Sequence, residues 1–332
     1  MVPQKCEQGN SSEDLEIVIG CDFGASAKAG DQAKKVILIE AFRLKSKEYV
    51  IFATGRNSRL HRAIFPPGSW RNNRCGWTIP ELAQSLANDH AVTVSSFDFP
   101  FSIPMSLLQC SIYAKRLLQN PFYIRNRWAD FVSQNLNLNF ATNIIAKDRV
   151  VDLSNFANWR DKYFWIKRQT DMATGGSPPM KYVPPNVFSM TLAGTALLEF
   201  LKKNGRVKLR LSSVNPPNKE ERIAFETYPA AIAKAIGFKG SYKQNPQSCL
   251  KHAEQYLKNQ KIKLQFHPKI RNFCVTYGLN PQDPKRQDPD GADAFLCLVA
   301  SICFRENLVK LCSNGANRAI LNQEGCIITP IC

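Results

Sequence analysis

Three segments rich in Val, Ile and Phe, then a helix, then a fourth such segment, open the chain and narrow what it can fold into. Glu16–Phe23, Lys35–Phe42 and Glu48–Thr54 are separated by turn-prone Gly, Asp, Lys and Ser and read as three strands of a meander. Thr78 is a candidate N-cap, with Pro80 and Glu81 in the first turn of a helix running to about Asn88. Ala91–Phe99 reads as a fourth strand. A helical crossover makes that strand parallel to one of the earlier three.

Pro100 and Pro104 end the fourth strand. Further on, Val207–Leu211 and Arg222–Thr227 read as strands. Thr191–Lys203, Pro229–Ile236, Ser248–Asn259, His267–Tyr277 and Pro289–Arg305 read as helices. The last has the clearest period, through Ala292, Phe295, Leu296, Val299, Ile302 and Cys303. The pattern is that of an α/β domain over residues 15–332, preceded by a polar, Ser- and Glu-rich tail at 1–14. Residues 105–200 interleave Trp, Tyr and Arg, are broken by Gly175-Gly176 and Pro184-Pro185, and read as a largely helical insertion or sub-lobe.

Five acids in four segments sit where these apolar elements end or begin: Asp22, Asp98, Glu226, and the pair Asp290 and Asp293. A carboxylate there is costly to desolvate unless a cation offsets the cost. If the first and fourth strands are neighbours, about 4.8 Å apart, Asp22 and Asp98 crowd each other, and a shared divalent ion relieves the repulsion. A plainer reading stands beside each one. Asp22 suits a strand end that accepts backbone hydrogen bonds from the Gly24 turn, Asp98 suits a turn before Pro100, and Glu226 and Asp290 suit helix N-termini. Asp293, a turn inside its helix between Ala292 and Ala294, favours the ligand reading.

Carboxylates of this kind, without a nucleophile, suit two-metal phosphoryl transfer with Mg²⁺ or Mn²⁺. No Gly-x-Ser-x-Gly elbow, Walker-type loop or His-Glu-x-x-His accompanies them. The four histidines are scattered and the 11 cysteines contain no Cys-x-x-Cys pair, which argues against zinc. The cysteines read as core residues of a protein in a reducing compartment. With no apolar signal core and no run long enough to span a bilayer, a cytoplasmic protein is expected.

Lys and Arg total 44 against 27 acids, a net charge of +17, which favours nucleic acid as partner over an anionic membrane surface. Lys115, Arg116, Arg125, Arg127, Lys167 and Arg168 lie among Tyr, Phe and Trp and are candidate phosphate contacts. Amphipathic helices with solvated Lys and Arg would leave the same pattern.

Taken in order, Gly20-Cys-Asp22-Phe-Gly24, Phe97-Asp98-Phe-Pro100, Glu226-Thr-Tyr-Pro229, Asp290-Gly-Ala-Asp293-Ala294 and Asn322-Gln-Glu-Gly325-Cys-Ile resemble the family known as domain of unknown function 429. Its members are regarded as predicted nucleases of the ribonuclease H-like fold. The resemblance implies a mixed five-stranded sheet of order 3-2-1-4-5 with strand 2 antiparallel, and metal-binding acids at Asp22, Asp98 and Asp293. Glu226 matches a further family position. The expectation is a metal-dependent nuclease with Asp22, Asp98, Glu226 and Asp293 in catalysis and Asp290 as an added ligand. Two rivals stand: an ATPase of the sugar-kinase and actin type, whose first phosphate motif Asp22-Phe-Gly-Ala-Ser26 looks like, and a non-catalytic nucleic-acid-binding protein.

Overall fold

A computed structural model of the chain describes residues 16–24, 36–54, 79–89, 91–102, 104, 165–179, 181, 187–210, 213–215, 218, 221–266, 290–313, 315 and 318–331. The strands are β1 (Glu16–Phe23), β2 (Val36–Lys45), β3 (Glu48–Thr54), β4 (Val92–Asp98), β5 (Val207–Arg210), β6 (Arg222–Glu226), β7 (Lys263–Phe266), β8 (Val309–Cys312) and β9 (Ile327–Pro330). The helices are α1 (Ile79–Asn88), α2 (Gln169–Thr174), α3 (Val187–Asn204), α4 (Pro229–Ala235), α5 (Pro246–Asn259), α6 (Asp290–Arg305) and α7 (Arg318–Glu324). No helix among the described residues is long and apolar enough to cross a membrane.

Seven strands form one mostly parallel sheet of order β5-β6-β4-β1-β2-β3-β7, in which β2 alone runs against its neighbours. Strands β8 and β9 make a separate antiparallel pair. The inner five follow the order 3-2-1-4-5 when β6 is counted fifth. The expected count of five was too small, because β5 and β7 extend the two edges. Strand β7 has only four residues, and its polar–apolar alternation Lys263-Leu-Gln-Phe266 is too short to announce a strand. The expected helix at His267–Tyr277, the tail at 1–14 and residues 105–164 lie outside the described residues.

Successive residues of a strand face opposite sides, and paired residues of neighbouring strands share a side. Val18, Gly20 and Asp22 of β1 pair with Val94, Ser96 and Asp98 of β4, while Ser96 pairs with Phe225 of β6. Helix α6 covers this face. Leu296, Leu298, Val299, Ile302 and Phe304 are fully buried, and each contributes ~1.5–3 kcal/mol through removal from water. A helix apolar on all sides has to be enclosed on all sides. Accordingly, α4, α5 and the β8–β9 pair also pack against α6. On the opposite sheet face, Phe23 and Phe97 join Phe99 and Phe101 in an aromatic cluster, with the Phe23 and Phe99 centroids 4.7 Å apart.

Gly20 sets how closely α6 approaches. A Cβ at this position would lie 2.0 Å from the Leu298 nitrogen and 2.4 Å from the Ala294 carbonyl oxygen. Two hydroxyls then fasten the helix to the sheet. Ser96 donates to the Cys297 carbonyl and Ser301 to the Ile19 carbonyl, both at 2.6 Å. At its far end Arg305 pairs with Glu16 at 2.7 Å, and Arg43 links Glu16 to Glu306. The helix cannot slide or lift without breaking these contacts, and its first turn stands over the ends of β1 and β4.

Candidate active site

One carboxylate oxygen from each of Asp22, Asp98 and Asp293 lies within 4.8 Å of the other two. Asp22 and Asp98 are brought level by the parallel register, each at or near the C-terminal end of its strand. Asp293 comes from the first turn of α6 at the height fixed by Gly20. Asp22 and Asp293 are buried and Asp98 is half-buried. Crevices at the carboxyl ends of parallel strands are where open α/β sheets bind ligands. Asp290 opens α6, and its side chain falls outside the described residues.

Tyr242, in the loop between α4 and α5, donates its hydroxyl to Oδ1 of Asp293. Lys243 donates to Oδ2 at 3.1 Å. Burial and then Asp293 push the Tyr242 phenol far above its usual range, so it stays a donor. For Lys243, burial alone would lower the ammonium pKa, but the charge and hydrogen bond of Asp293, together with the charges of Asp98 and Asp22, raise it overall. Burial, aided by Asp98, also raises Tyr228. Cys21 and Cys297 border the cluster and remain neutral thiols, because burial and then the aspartates oppose a thiolate.

Glu226 does not join the three aspartates. The register between β4 and β6 sets it opposite Phe97 rather than Asp98, and one residue of offset turns a side chain to the other face. There Arg168 holds it. Nη1 of Arg168 donates to Oε2 of Glu226 at 2.7 Å, and Nη2 donates to Oε1. The same guanidinium donates through Nε and Nη2 to Asp171 at 3.0 and 2.7 Å. The Phe101 N–H completes the set on Glu226 at 2.9 Å, which ties the turn after Asp98 to this ion cluster. Burial raises the Glu226 carboxyl while Arg168 works against that rise. Arg168, expected as a phosphate contact, is 1 % exposed and pairs with two buried acids. Its neighbour Lys167 is exposed. Lys115, Arg116, Arg125 and Arg127 lie outside the described residues.

The segment Asn322–Ile327 braces this second cluster. The Glu324 carboxylate accepts the Gln169 N–H at 2.9 Å at the start of α2. Ile327 donates its N–H to the Thr170 hydroxyl at 2.7 Å, and Ser102 donates to the Glu324 carbonyl. Arg168 is thus held from both sides, by α2 behind it and by the tail segment beside it.

Both clusters line one cavity of about 390 Å³, whose charged groups are Asp22, Asp98, Asp171, Glu226 and Asp293 against Arg168 and Lys243. In a chain of net charge +17, this cleft is locally anionic. Three hard oxygen donors facing a single ammonium suit Mg²⁺, Mn²⁺ or Ca²⁺ better than a thiolate-loving ion. Sequence reasoning missed Tyr242, Lys243 and Asp171. The spacing Arg168-x-x-Asp171 is a helix-start pairing that was legible, whereas Tyr242 and Lys243 sit in an irregular loop and carry no local signal. Comparison of the chain with protein-family models, curated proteins and solved structures finds no match.

Proposed function

We infer that the protein is a divalent-metal-dependent nuclease of the ribonuclease H-like type, hydrolysing phosphodiester bonds. The observation that carries this reading is the meeting of Asp22, Asp98 and Asp293 within 4.8 Å at the carboxyl edge of the sheet. The 3-2-1-4-5 order of the inner strands supports it, as does the motif resemblance to domain of unknown function 429. These three aspartates would hold Mg²⁺ or Mn²⁺. When bound, the ion supplies positive charge to phosphoryl oxygens and lowers the pKa of attacking water. The chain's own part is to keep three carboxylates close, to hold them rigidly through α6, and to present Lys243 beside them. Outside the cleft the positive charge suits a polyanionic strand.

Titration with Mn²⁺ in a calorimeter tests the reading together with a cleavage assay on labelled DNA and RNA. Wild type should bind the ion and cleave, and Asp22→Asn should lose both while melting at an equal or higher temperature, since removing one of three crowded charges relieves repulsion. Cleavage that persists in excess EDTA overturns the mechanism. A thermal shift with ATP in place of metal-dependent cleavage would point to the sugar-kinase and actin type instead.

A further inference from the structure

Lys243 belongs to two cavities at once. On one side it faces the aspartates. On the other it lines an adjoining cavity of about 470 Å³ with Tyr228, Lys234, Phe238, Ser241 and Tyr242, and Asp98 is common to both. Its ammonium lies 3.1 Å from a carboxylate oxygen that a metal would need, yet its side chain is 52 % exposed. Asp293 is only 5 % exposed and held by α6. Of the two partners, the lysine is therefore the one free to move. Its four-carbon stem ends in a compact point charge that tolerates several geometries.

The adjoining cavity has the makings of an anion seat. It holds Lys234 and Lys243, the exposed Ser241, and the aromatic residues Tyr228 and Phe238. Its one acid is Asp98, at the boundary with the aspartate cluster. A phosphate with a neighbouring base would meet cations and stacking surfaces there.

We propose that Lys243 is an exchangeable counter-ion: a divalent metal arriving at the three aspartates displaces its ammonium from Asp293 into the adjoining cavity, where it binds a phosphate of the substrate strand next to the one being cut. This rests on the metal-dependent reading above and adds to it a coupling between metal and substrate. Before metal binds, Lys243 offsets charge within the cluster. Afterwards the metal does so, and the lysine becomes available to phosphate. Substrate then gains a contact only in the metal-loaded protein.

The test uses Lys243→Gln in the full chain, with Mn²⁺ calorimetry and with fluorescence anisotropy of a short single-stranded phosphorothioate oligonucleotide, which resists cleavage. Removing the resident cation should tighten Mn²⁺ by about fivefold, the size of one partly exposed ion pair. The same variant should bind the oligonucleotide several-fold more weakly with Mn²⁺ present, and as wild type does without it. Lys243→Arg should restore much of the oligonucleotide affinity. The proposal is overturned if wild type binds Mn²⁺ and Lys243→Gln binds it equally or less well, or if oligonucleotide affinity falls equally with and without metal. That result leaves the metal-dependent reading standing. A wild type that binds no Mn²⁺ overturns both.

Discussion

Replacing Gly20 by Ala tests whether the position of α6 creates the aspartate cluster. In most strand positions Gly→Ala stabilises by roughly 0.5–1 kcal/mol, because the unfolded chain loses freedom. Here the added methyl would lie 2.0 Å from the Leu298 nitrogen, 2.4 Å from the Ala294 carbonyl oxygen and 2.5 Å from the Leu298 Cα, where ordinary contact begins near 3.4 Å. All three atoms are backbone, so no side chain can rotate away. The helix has to move off the sheet by about 1 Å, which stretches the Ser96 and Ser301 hydrogen bonds and carries Asp293 away from Asp22. Overpacking of this kind costs about 3 kcal/mol, near the top of its usual range, because neither partner yields. With a urea m-value of about 3 kcal/mol per molar, the midpoint should fall by about 1 M. Mn²⁺ affinity should fall as well, although no ligand has been altered. Urea unfolding followed by fluorescence, with calorimetry on the folded fraction, reads both. A Gly20→Ala protein as stable as wild type, with undiminished Mn²⁺ binding, would refute the reasoning.

Arg168→Met strands Glu226 and Asp171 without their cation and should cost about 3–5 kcal/mol, while the triple variant with Glu226→Gln and Asp171→Asn should recover most of it in thermal melts. Burial pushes the thiols of Cys249, Cys303 and Cys326 up to about 12 from an ordinary value of 9.0. In the unfolded chain they ionise first, so their contribution to stability is intact below pH 9 and is lost as pH rises through 9 towards 12; urea midpoints measured from pH 7.5 to 11 should decline from about pH 9 upward. Oligonucleotide affinity should fall steeply with salt, and Arg125→Ala with Arg127→Ala should flatten the slope by about one unit per lost phosphate contact, with little change in base preference.

Asp22, Asp98 and Asp293 were legible because each interrupts an apolar pattern at an element's end, and the meander-helix-strand order already implied that β1 and β4 could be neighbours. Which face an acid occupies was not legible. Glu226 looked equivalent to Asp98, yet a single residue of register turned it towards Arg168. Arg168 itself read as a surface cation, since a local pattern cannot reveal that a guanidinium will meet a carboxylate 58 positions later. Lys243 and Tyr242 reach Asp293 from a loop 50 residues upstream, a relation only the packed helix creates. The edge strands β5 and β7, at four residues each, were either seen as isolated segments or missed, because pairing rather than composition makes them strands.

The bonds that join α6 to β1 link residues very far apart in the chain: Ser301 and Ile19 are separated by 282 positions. During synthesis at about 5–20 residues per second, β1 emerges roughly 15 seconds to a minute before the helix that covers it. Over that interval one of the most apolar strands of the sheet has no lid. It is then a natural client for chaperones and a point from which nascent chains can associate wrongly. The same delay means that a ribosome-bound chain lacking α6 carries Asp22 and Asp98 without Asp293. An incomplete product of translation would therefore have two of the three aspartates and no assembled centre.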